Sequence, residues 1–256
     1  MGIFKTILNI IPRPWLIKAS FIAKPILAIY YKGNTYTDPI DQKSYRKFLS
    51  YGYKNQRENV LAPGTLSLER HRLLWLYLND HSDFFKQPKK VLHVAPEQCF
   101  YKIFRDQKNL TYTTTDLFSP LADVKADICD LPFADNSYDV IFCNHVLEHI
   151  ADDTKAMSEL YRVLKPGGWG IFQVPQDVTR SKTYEDFSIT EPKERQKHFG
   201  QYDHVRIYGL DYFKRLENVG FNVIQFKTAQ HFSETDIIRY ALMKNEILPI
   251  CIKPNN

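Results

Sequence analysis

Residues 138–150 read YDVIFCNHVLEHI, and this stretch decides the fold. Its first six residues, Tyr138–Cys143, form an almost wholly apolar run that is about as long as one β-strand. Runs of this kind are typical of strands that are buried on both faces of a parallel sheet. Two polar residues, Asn144 and His145, follow the run directly and mark the end of the predicted strand.

Strands and helices alternate on both sides of this stretch, from residue 90 almost to the end of the chain. An amphipathic helix is expected at residues 152–164, where the sequence KPGG (165–168) then ends it. The other expected strands are 91–95, 110–115, 124–128, 169–174, 221–227 and 247–252. This alternation predicts an α/β fold, a seven-stranded and mostly parallel sheet with helices on both faces. The last two strands are expected to pair as an antiparallel edge hairpin.

The first part of the chain has a different character. We interpret residues 1–66 as an N-terminal arm and connector, a helical or irregular extension of a domain that spans residues 67–256. Residues 3–31 are rich in apolar side chains, but Lys and Pro interrupt every run before the ~20 residues needed to cross a bilayer. Two interpretations of residues 1–31 remain open: an arm packed on the domain, or a basic segment that contacts an anionic membrane surface.

The net charge of +5 is concentrated in that arm. Five basic residues precede the first acidic residue, Asp38, and the remaining basic and acidic residues are equal in number. The sequence therefore gives no indication of a nucleic-acid groove. The four cysteines lack metal-type spacing, so we expect free thiols in a reducing, cytoplasmic compartment and no metal site.

Polar residues follow three predicted strands at the point where each strand ends. The first strand runs into Ala95-Pro96-Glu97, the second ends at Asp116, and the strand quoted above ends at Asn144-His145. Ligands of open α/β sheets bind at the carboxyl ends of the strands, so we expect these residues to share one site. Asp116 follows Glu97 by nineteen positions. A spacing of ~20 residues is usual between a first loop and a carboxylate that binds a ribose diol.

Four motifs occur in order: DICDLPF (127–133), DNSYDVI (135–141), HVLEHI (145–150) and LYRVLKPGG (160–168). In this order and spacing they resemble the class I S-adenosylmethionine-dependent methyltransferases of type 11, and the wider similarity covers residues 90–252. The resemblance implies a Rossmann-like catalytic domain with S-adenosylmethionine as its cofactor. By this resemblance, Asp116 binds the ribose, and Leu117 next to it also belongs to the cofactor site. Asp127 and Ile128 flank the adenine. Asn144 and His145 border the methionine end and the methyl group.

One loop departs from the family pattern. The family reads acidic-x-Gly-x-Gly-x-Gly after the first strand, whereas this chain has HVAPEQ at residues 93–98. Glycines there let the backbone approach the cofactor closely. Ala95 and Pro96 can still form the turn, and Glu97 can meet the ammonium group, so we expect all three in the cofactor site. The departure leaves an alternative open, a non-catalytic protein that binds a cofactor or a partner.

The acceptor is expected to lie against residues of the long segment after the fifth strand. Methyl transfer needs a base only where the acceptor loses a proton, and we name His145 and His204 as the candidate catalytic residues. Tyr202, His204 and Arg206 are predicted to contact the acceptor, because long polar loops often form lids or substrate walls. Arg206 would suit a carboxylate or phosphate. Local hydrogen bonding by His145 and a solvated loop at 197–206 remain alternatives.

A second resemblance concerns the connector. Some relatives carry a cysteine-rich zinc knuckle before a helix that starts Ser-Leu-Glu-Arg-His-Arg, which is residues 67–72 here. The comparable positions in this chain are Asp38, Asp41, Ala62 and Thr65. The resemblance implies a knuckle that is retained as fold without its metal.

The sequence therefore predicts an S-adenosylmethionine-dependent methyltransferase that acts on a small-molecule or lipid-linked acceptor. A nicotinamide oxidoreductase is disfavoured because no G-x-G-x-x-G motif follows the first strand.

Overall fold

The predicted alternation of strands and helices is present in the computed structural model, which describes residues 13–52 and 56–255. The first elements are α1 (Arg13–Tyr30), β1 (Lys32–Asp38), β2 (Lys43–Tyr45), β3 (Leu49–Tyr51), β4 (Arg57–Leu61) and α2 (Glu69–Asp80). The next are β5 (Lys89–Val94), α3 (Gln98–Arg105), β6 (Leu110–Thr115), β7 (Tyr138–Cys143), a 3₁₀ turn (Leu147–His149), α4 (Asp153–Val163) and β8 (Leu164–Ile171). The last are β9 (Tyr184–Glu185), α5 (Pro192–Phe199), β10 (Arg206–Ile207), α6 (Tyr212–Val219), β11 (Asn222–Lys227), α7 (Thr228–His231), α8 (Glu234–Arg239) and β12 (Ile247–Ile252).

The chain divides into two compact units. One contains the residues up to Tyr77 together with Phe232–Lys244, and the other contains Leu78–His231 and Asn245–Asn256. The domain boundary expected after residue 66 stays a prediction.

The second unit contains the central sheet, with six strands in the order β11-β12-β8-β7-β5-β6. Strands β6, β5, β7 and β8 are parallel neighbours, while β12 pairs antiparallel with both β8 and β11. The mostly parallel sheet and its antiparallel edge hairpin are therefore confirmed. Because β5 and β7 lie side by side, the polar residues that follow them meet at one edge of the sheet.

The sheet has six strands, whereas seven were expected, because the stretch at 124–128 does not form a strand. Only Val124 pairs, in a single parallel bridge with Thr115. The backbone pairing reaches no further than Val124, whose N–H donates to the Thr114 carbonyl at 3.1 Å, and the Asp123 Oδ2 accepts the Thr114 N–H at 2.9 Å. After that pairing, Asp127 Oδ1 accepts the Cys129 N–H at 2.8 Å and starts a turn.

Both faces of the central sheet are covered, as the sequence predicted. On one face, Leu92 and Ile141 belong to a buried cluster that includes apolar residues of α4 and α6. On the other face, the ring of Phe142 contacts Phe84 and Phe104 of α3, with centroid distances of 5.4 Å and 5.6 Å. The central strands β5 and β7 are therefore buried on both sides, which explains why Val91–Val94 and Val140–Cys143 are almost continuous apolar runs.

The first unit contains two antiparallel hairpins, β1–β2 and β3–β4. The residues aligned with zinc ligands are hydrogen-bonded to protein groups instead. Asp38 Oδ2 accepts from Thr65 Oγ1 at 2.5 Å and from Ser67 Oγ at 3.2 Å, and Asp41 Oδ2 accepts from Tyr45 OH at 2.7 Å. Burial of Asp38 raises the pKa of its carboxyl group, and the hydrogen bond from Thr65 opposes that effect.

The guanidinium of Arg72 lies at the centre of the first unit and is 0% exposed. It donates to the carbonyl oxygens of Val60 at 3.0 Å and Ser67 at 2.9 Å, and to those of Tyr240 at 2.6 Å and Ala241 at 2.8 Å. One side chain thus fixes the β4 hairpin, the start of α2 and the segment after α8. Helix-end residues of this kind are often solvated, but this arginine is structural.

Among the described residues, no helix combines the length and the apolar character that crossing a membrane requires. Residues 1–12 of the predicted arm lie outside the described part of the chain. The helical extension expected from the sequence is α1, which occupies the remainder of the arm.

We expect Arg72→Met to lower the free energy of unfolding of the full chain by about 3 kcal/mol or more, because four buried carbonyl groups lose a charged donor. Urea denaturation followed by circular dichroism measures this change. The matched control is Arg57→Met, whose side chain is 45% exposed. Its ion pair with Glu69 is expected to contribute ~1 kcal/mol or less. Equal losses in the two variants would contradict the central role of Arg72.

Candidate active site

The first loop of the site turns without a glycine. Ala95 follows β5 with a φ of 50°, in the left-handed region that glycine usually occupies. Its backbone N–H donates to the Thr115 carbonyl at 2.8 Å, which holds the turn against the end of β6. Pro96 is buried, and Glu97 precedes the first residue of α3. Alanine therefore provides the sharp turn expected here.

The carboxylate of Glu97 joins three strand ends. Its Oε1 accepts from Asn144 Nδ2 at 3.0 Å, and its Oε2 is in very close contact with His93 Nε2. His93 Nδ1 lies 2.8 Å from the hydroxyl of Tyr112 in β6. Burial and the nearby charge of Glu97 raise the pKa of Tyr112, so its hydroxyl stays protonated. This partly buried chain of hydrogen bonds links the first loop to β5 and β6.

Asp116 lies at the end of β6 and is held by its own loop. Its Oδ1 accepts the backbone N–H groups of Phe118 at 2.7 Å and Ser119 at 2.5 Å. Within the described residues, Oδ2 has no recorded hydrogen bond. Leu117 and Phe118 are 48% and 84% exposed, so apolar surface borders this carboxylate. The arrangement leaves one fixed carboxylate oxygen available to a ligand.

The predicted adenine residues lie in the turn after Val124. The side chain of Asp127 is exposed except for its bond to Cys129 N–H, whereas Ile128 is 5% exposed and packs in the hydrophobic core. Asp127 is therefore the more accessible of the two side chains.

Asn144 and His145 lie beside the end of β8. Asn144 is 4% exposed, and its Oδ1 accepts the Gln173 N–H at 3.2 Å. His145 has a φ of 55°, and its backbone N–H donates to the Gln173 carbonyl at 2.7 Å. Its Nδ1 lies 3.2 Å from Glu148 Oε1. The structure thus brings Glu97, Asn144 and His145 to one edge of the sheet.

Two polar residues of this edge were not named as site residues. Gln173 is 1% exposed, and neither end of its side-chain amide has a hydrogen-bond partner among the described residues. Glu148 is also 1% exposed; its Oε1 lies 3.2 Å from His145 Nδ1, and no described residue donates a hydrogen bond to its Oε2. Although burial favours the neutral acid, His145 and then His149 lower the pKa of Glu148. Glu148 stands in the quoted HVLEHI motif, but no sequence pattern indicated that its carboxylate would be buried.

The predicted acceptor contacts have different environments. Tyr202 is 55% exposed and His204 is 8% exposed. The rings of His204 and His149 meet edge to face, with a centroid distance of 4.7 Å. Burial lowers the pKa of His204, which favours its neutral form.

Arg206 was expected to bind an acceptor carboxylate or phosphate, and the structure corrects this. Its side chain is 1% exposed and donates to the carbonyl oxygens of Leu147 at 2.9 Å, Ala151 at 2.8 Å and Ile150. Its Nε donates to Glu185 Oε2 at 2.8 Å. The donors of the guanidinium are used inside the protein, so Arg206 positions the turn at 147–151.

The family model described as a methyltransferase domain matches residues 81–172. The ubiquinone/menaquinone biosynthesis C-methyltransferase UbiE of Idiomarina loihiensis is 40% identical over 69 residues, which are 26% of this chain and 28% of that relative. Its counterpart in Klebsiella pneumoniae is 41% identical over 69 residues, with the same coverage. The chain thus covers less than a third of the length of these relatives.

Among solved structures, the cyclase SpnF is 14% identical and has a TM-score of 0.51, with 86% of this chain and 92% of that chain covered. This similarity shows the fold. Because the solved structure is that of a cyclase, the fold by itself does not specify a reaction.

We expect Gln173→Met to raise the free energy of unfolding by about 1 kcal/mol, because it removes a buried amide that lacks partners and nearly keeps the side-chain volume. The matched control is Gln176→Met, since Gln176 Nε2 donates to the Gly209 carbonyl at 2.8 Å. In the Gln176→Met variant the free energy of unfolding should fall by about 1 kcal/mol, because this hydrogen bond is lost. Chemical denaturation measures both. A loss of stability in Gln173→Met would mean that its amide is satisfied in the free protein.

Proposed function

We propose that this chain, a member of the class I S-adenosylmethionine-dependent methyltransferase family, transfers the methyl group of that cofactor to a small-molecule or lipid-linked acceptor. The observation that carries the proposal is the position of Asp116. Its carboxylate is fixed by two backbone amides at the end of β6, and one oxygen remains available for a ribose diol.

The other residues at this edge fit the same cofactor. The carboxylate of Glu97 offers negative charge to the ammonium group of the cofactor. Asn144 Nδ2 holds this carboxylate by donating to its Oε1 at 3.0 Å. Ala95 supplies the turn of the first loop. Asp127, exposed in the turn after Val124, is the proposed adenine contact. The cofactor itself supplies a methyl group that its sulfonium makes electrophilic. Catalysis by the chain is then mostly positioning of donor and acceptor.

A base is needed when the acceptor is a hydroxyl or another protonated group. We assign this role to His145, since Glu148 Oε1 lies 3.2 Å from its Nδ1 and orients the ring, so that Nε2 can take the proton. Tyr202, more than half exposed, is the proposed acceptor contact of the following segment. His204 was the second candidate base, but its burial makes it a poor proton acceptor.

One observation favours a second candidate function, a protein that binds the cofactor or a partner without catalysis. The bonds from Glu97 to His93 and Asn144 fill the first loop, where family members have glycines. The similarity to the UbiE relatives does not decide between these functions or name the acceptor, because it covers only 28% of those proteins.

We expect S-adenosylmethionine and S-adenosylhomocysteine to bind with micromolar affinity in calorimetric titrations. Asp116→Ala should weaken both by a factor of ten or more, about 1.4 kcal/mol, because the ribose loses its carboxylate. The matched control is Asp130→Ala, which alters an exposed carboxylate of the neighbouring loop and should leave the affinity unchanged. Binding of neither ligand would remove the methyltransferase proposal, and binding without transfer to any acceptor would favour the second candidate.

We further propose that α1 contacts an anionic lipid surface, which would bring a lipid-linked acceptor within reach. Trp15, Ile22, Ile26 and Ile29 are 67%, 71%, 63% and 78% exposed, and their spacing puts them along one side of the helix. The first 37 residues contain no acidic side chain. An apolar stripe in a basic segment is typical of helices that lie in the membrane interface.

The double change Ile22→Asp and Ile26→Asp should lower co-sedimentation with phosphatidylserine-containing vesicles several-fold, because it puts charge on the apolar stripe. The control is Ile238→Asp, an isoleucine of α8 that is 63% exposed. It should sediment like the unaltered chain. If the unaltered chain stays in the supernatant with the vesicles present, the lipid contact is ruled out.

A further inference from the structure

We propose that Glu148, His149 and His204 form a binding site for a divalent cation of the zinc class. Their ligand atoms all lie within 4.8 Å of one another. Glu148 and His149 stand at the end of the 3₁₀ turn, and His204 comes from the segment just before β10. The absence of a metal that we expected from the cysteine spacing does not bear on this site, because it contains no cysteine.

The donor set suits such a cation. Two imidazole nitrogens and one glutamate oxygen are a known zinc ligand set, and they leave at least one coordination position open for water or substrate. Ligand atoms bound ~2.1 Å from one tetrahedral ion lie about 3.4 Å apart. The three ligand atoms therefore need to approach one another by at most about 1.4 Å, and His149, whose side chain is 29% exposed, is the least buried of the three residues.

The burial of Glu148 is an independent indication of a ligand. A carboxylate that is 1% exposed, with no hydrogen bond to its Oε2 from the described residues, is costly to bury. Its near neighbour is His145, whose Nδ1 lies 3.2 Å from Oε1. A cation between Glu148 and the two histidines would compensate this charge.

Outer contacts hold the two histidines in the way that metal ligands are usually held. His149 Nδ1 lies 3.4 Å from both the carbonyl oxygen and the Oδ2 of Asp203. His204 hydrogen-bonds to the backbone of Phe199. A histidine that donates one ring N–H to a carbonyl or carboxylate keeps a lone pair on the other nitrogen for a metal. Arg206 fixes the turn itself through the Leu147 carbonyl.

The cation would adjoin His145, at the acceptor side of the proposed cofactor site. This consequence rests on the proposed function: an open coordination position there would take an acceptor oxygen and lower its pKa. Among small-molecule and lipid-linked acceptors, the metal site would therefore select those with a hydroxyl group that can bind the cation.

The test uses full-length protein freed of metal by dialysis against EDTA, and titrates Zn²⁺ by calorimetry without cofactor or acceptor. We expect one equivalent to bind. Glu148→Gln and His204→Gln should each weaken it ten-fold or more, whereas His198→Gln, in the same segment, should not change it. A Co²⁺ titration of the same samples should give the visible absorption of a nitrogen- and oxygen-coordinated site.

Failure to bind Zn²⁺, or the same affinity in all variants, would overturn the proposal. His149→Gln keeps the test decisive if a buried variant unfolds, because it alters a partly exposed side chain. Titration of the metal-free protein with S-adenosylhomocysteine tests the cofactor site separately. Binding of S-adenosylhomocysteine without binding of Zn²⁺ would thus overturn only the metal-site proposal. Binding of Zn²⁺ without binding of S-adenosylhomocysteine would overturn only the proposed methyltransferase function.

Discussion

The candidate site depends on the buried guanidinium of Arg206. Charge-assisted hydrogen bonds to the carbonyl groups of Leu147, Ile150 and Ala151 fix the turn that presents Glu148 and His149. The bond to Glu185 ties the same group to the segment after β8. Because a buried charge is tolerated only while its partners stay in place, the turn and the segment must keep one arrangement. A neighbouring hydrogen bond stabilises the same arrangement of turn and segment, since Tyr208 OH donates to Asp153 Oδ2 at 2.7 Å.

Those parts of the fold that follow local patterns were predictable. The apolar run of β7 and the polar residues after it predicted the parallel sheet and the edge where the candidate site lies. The spacing from Glu97 singled out Asp116 as a candidate residue at the end of the next strand. The stretch expected as a strand at 124–128 instead turns at Asp127, whose carboxylate accepts the Cys129 N–H, and no periodicity shows this. Long-range contacts were equally invisible. An arginine in a polar loop looks like a ligand contact until the carbonyls of a turn some 55 residues away are seen to surround it.

The glycine-poor first loop shows how one family feature can be replaced by different chemistry. Glycine usually gives both a left-handed turn and close approach to the cofactor. Ala95 takes the turn at a φ of 50°, a conformation that is strained for a residue with a side chain. The bond from Asn144 to Glu97 then holds a negative charge where the family pattern has only backbone. The loop therefore holds a fixed carboxylate, whose two oxygens contact Asn144 and His93.

Buried polar groups without hydrogen-bond partners lie on the acceptor side of the proposed cofactor site. Native proteins pair nearly all buried polar atoms, so each exception needs a cause. Among the described residues, the side-chain amide of Gln173 and the Oε2 of Glu148 are two such exceptions, in the segments that follow β8 and β7. These segments lie at the edge where an open α/β sheet binds ligands. A fold that keeps these groups unpaired in the free state gives up stability for interactions that only a bound ligand completes. Under the proposed function, polar groups of the acceptor would complete these interactions at the segments that follow β7 and β8.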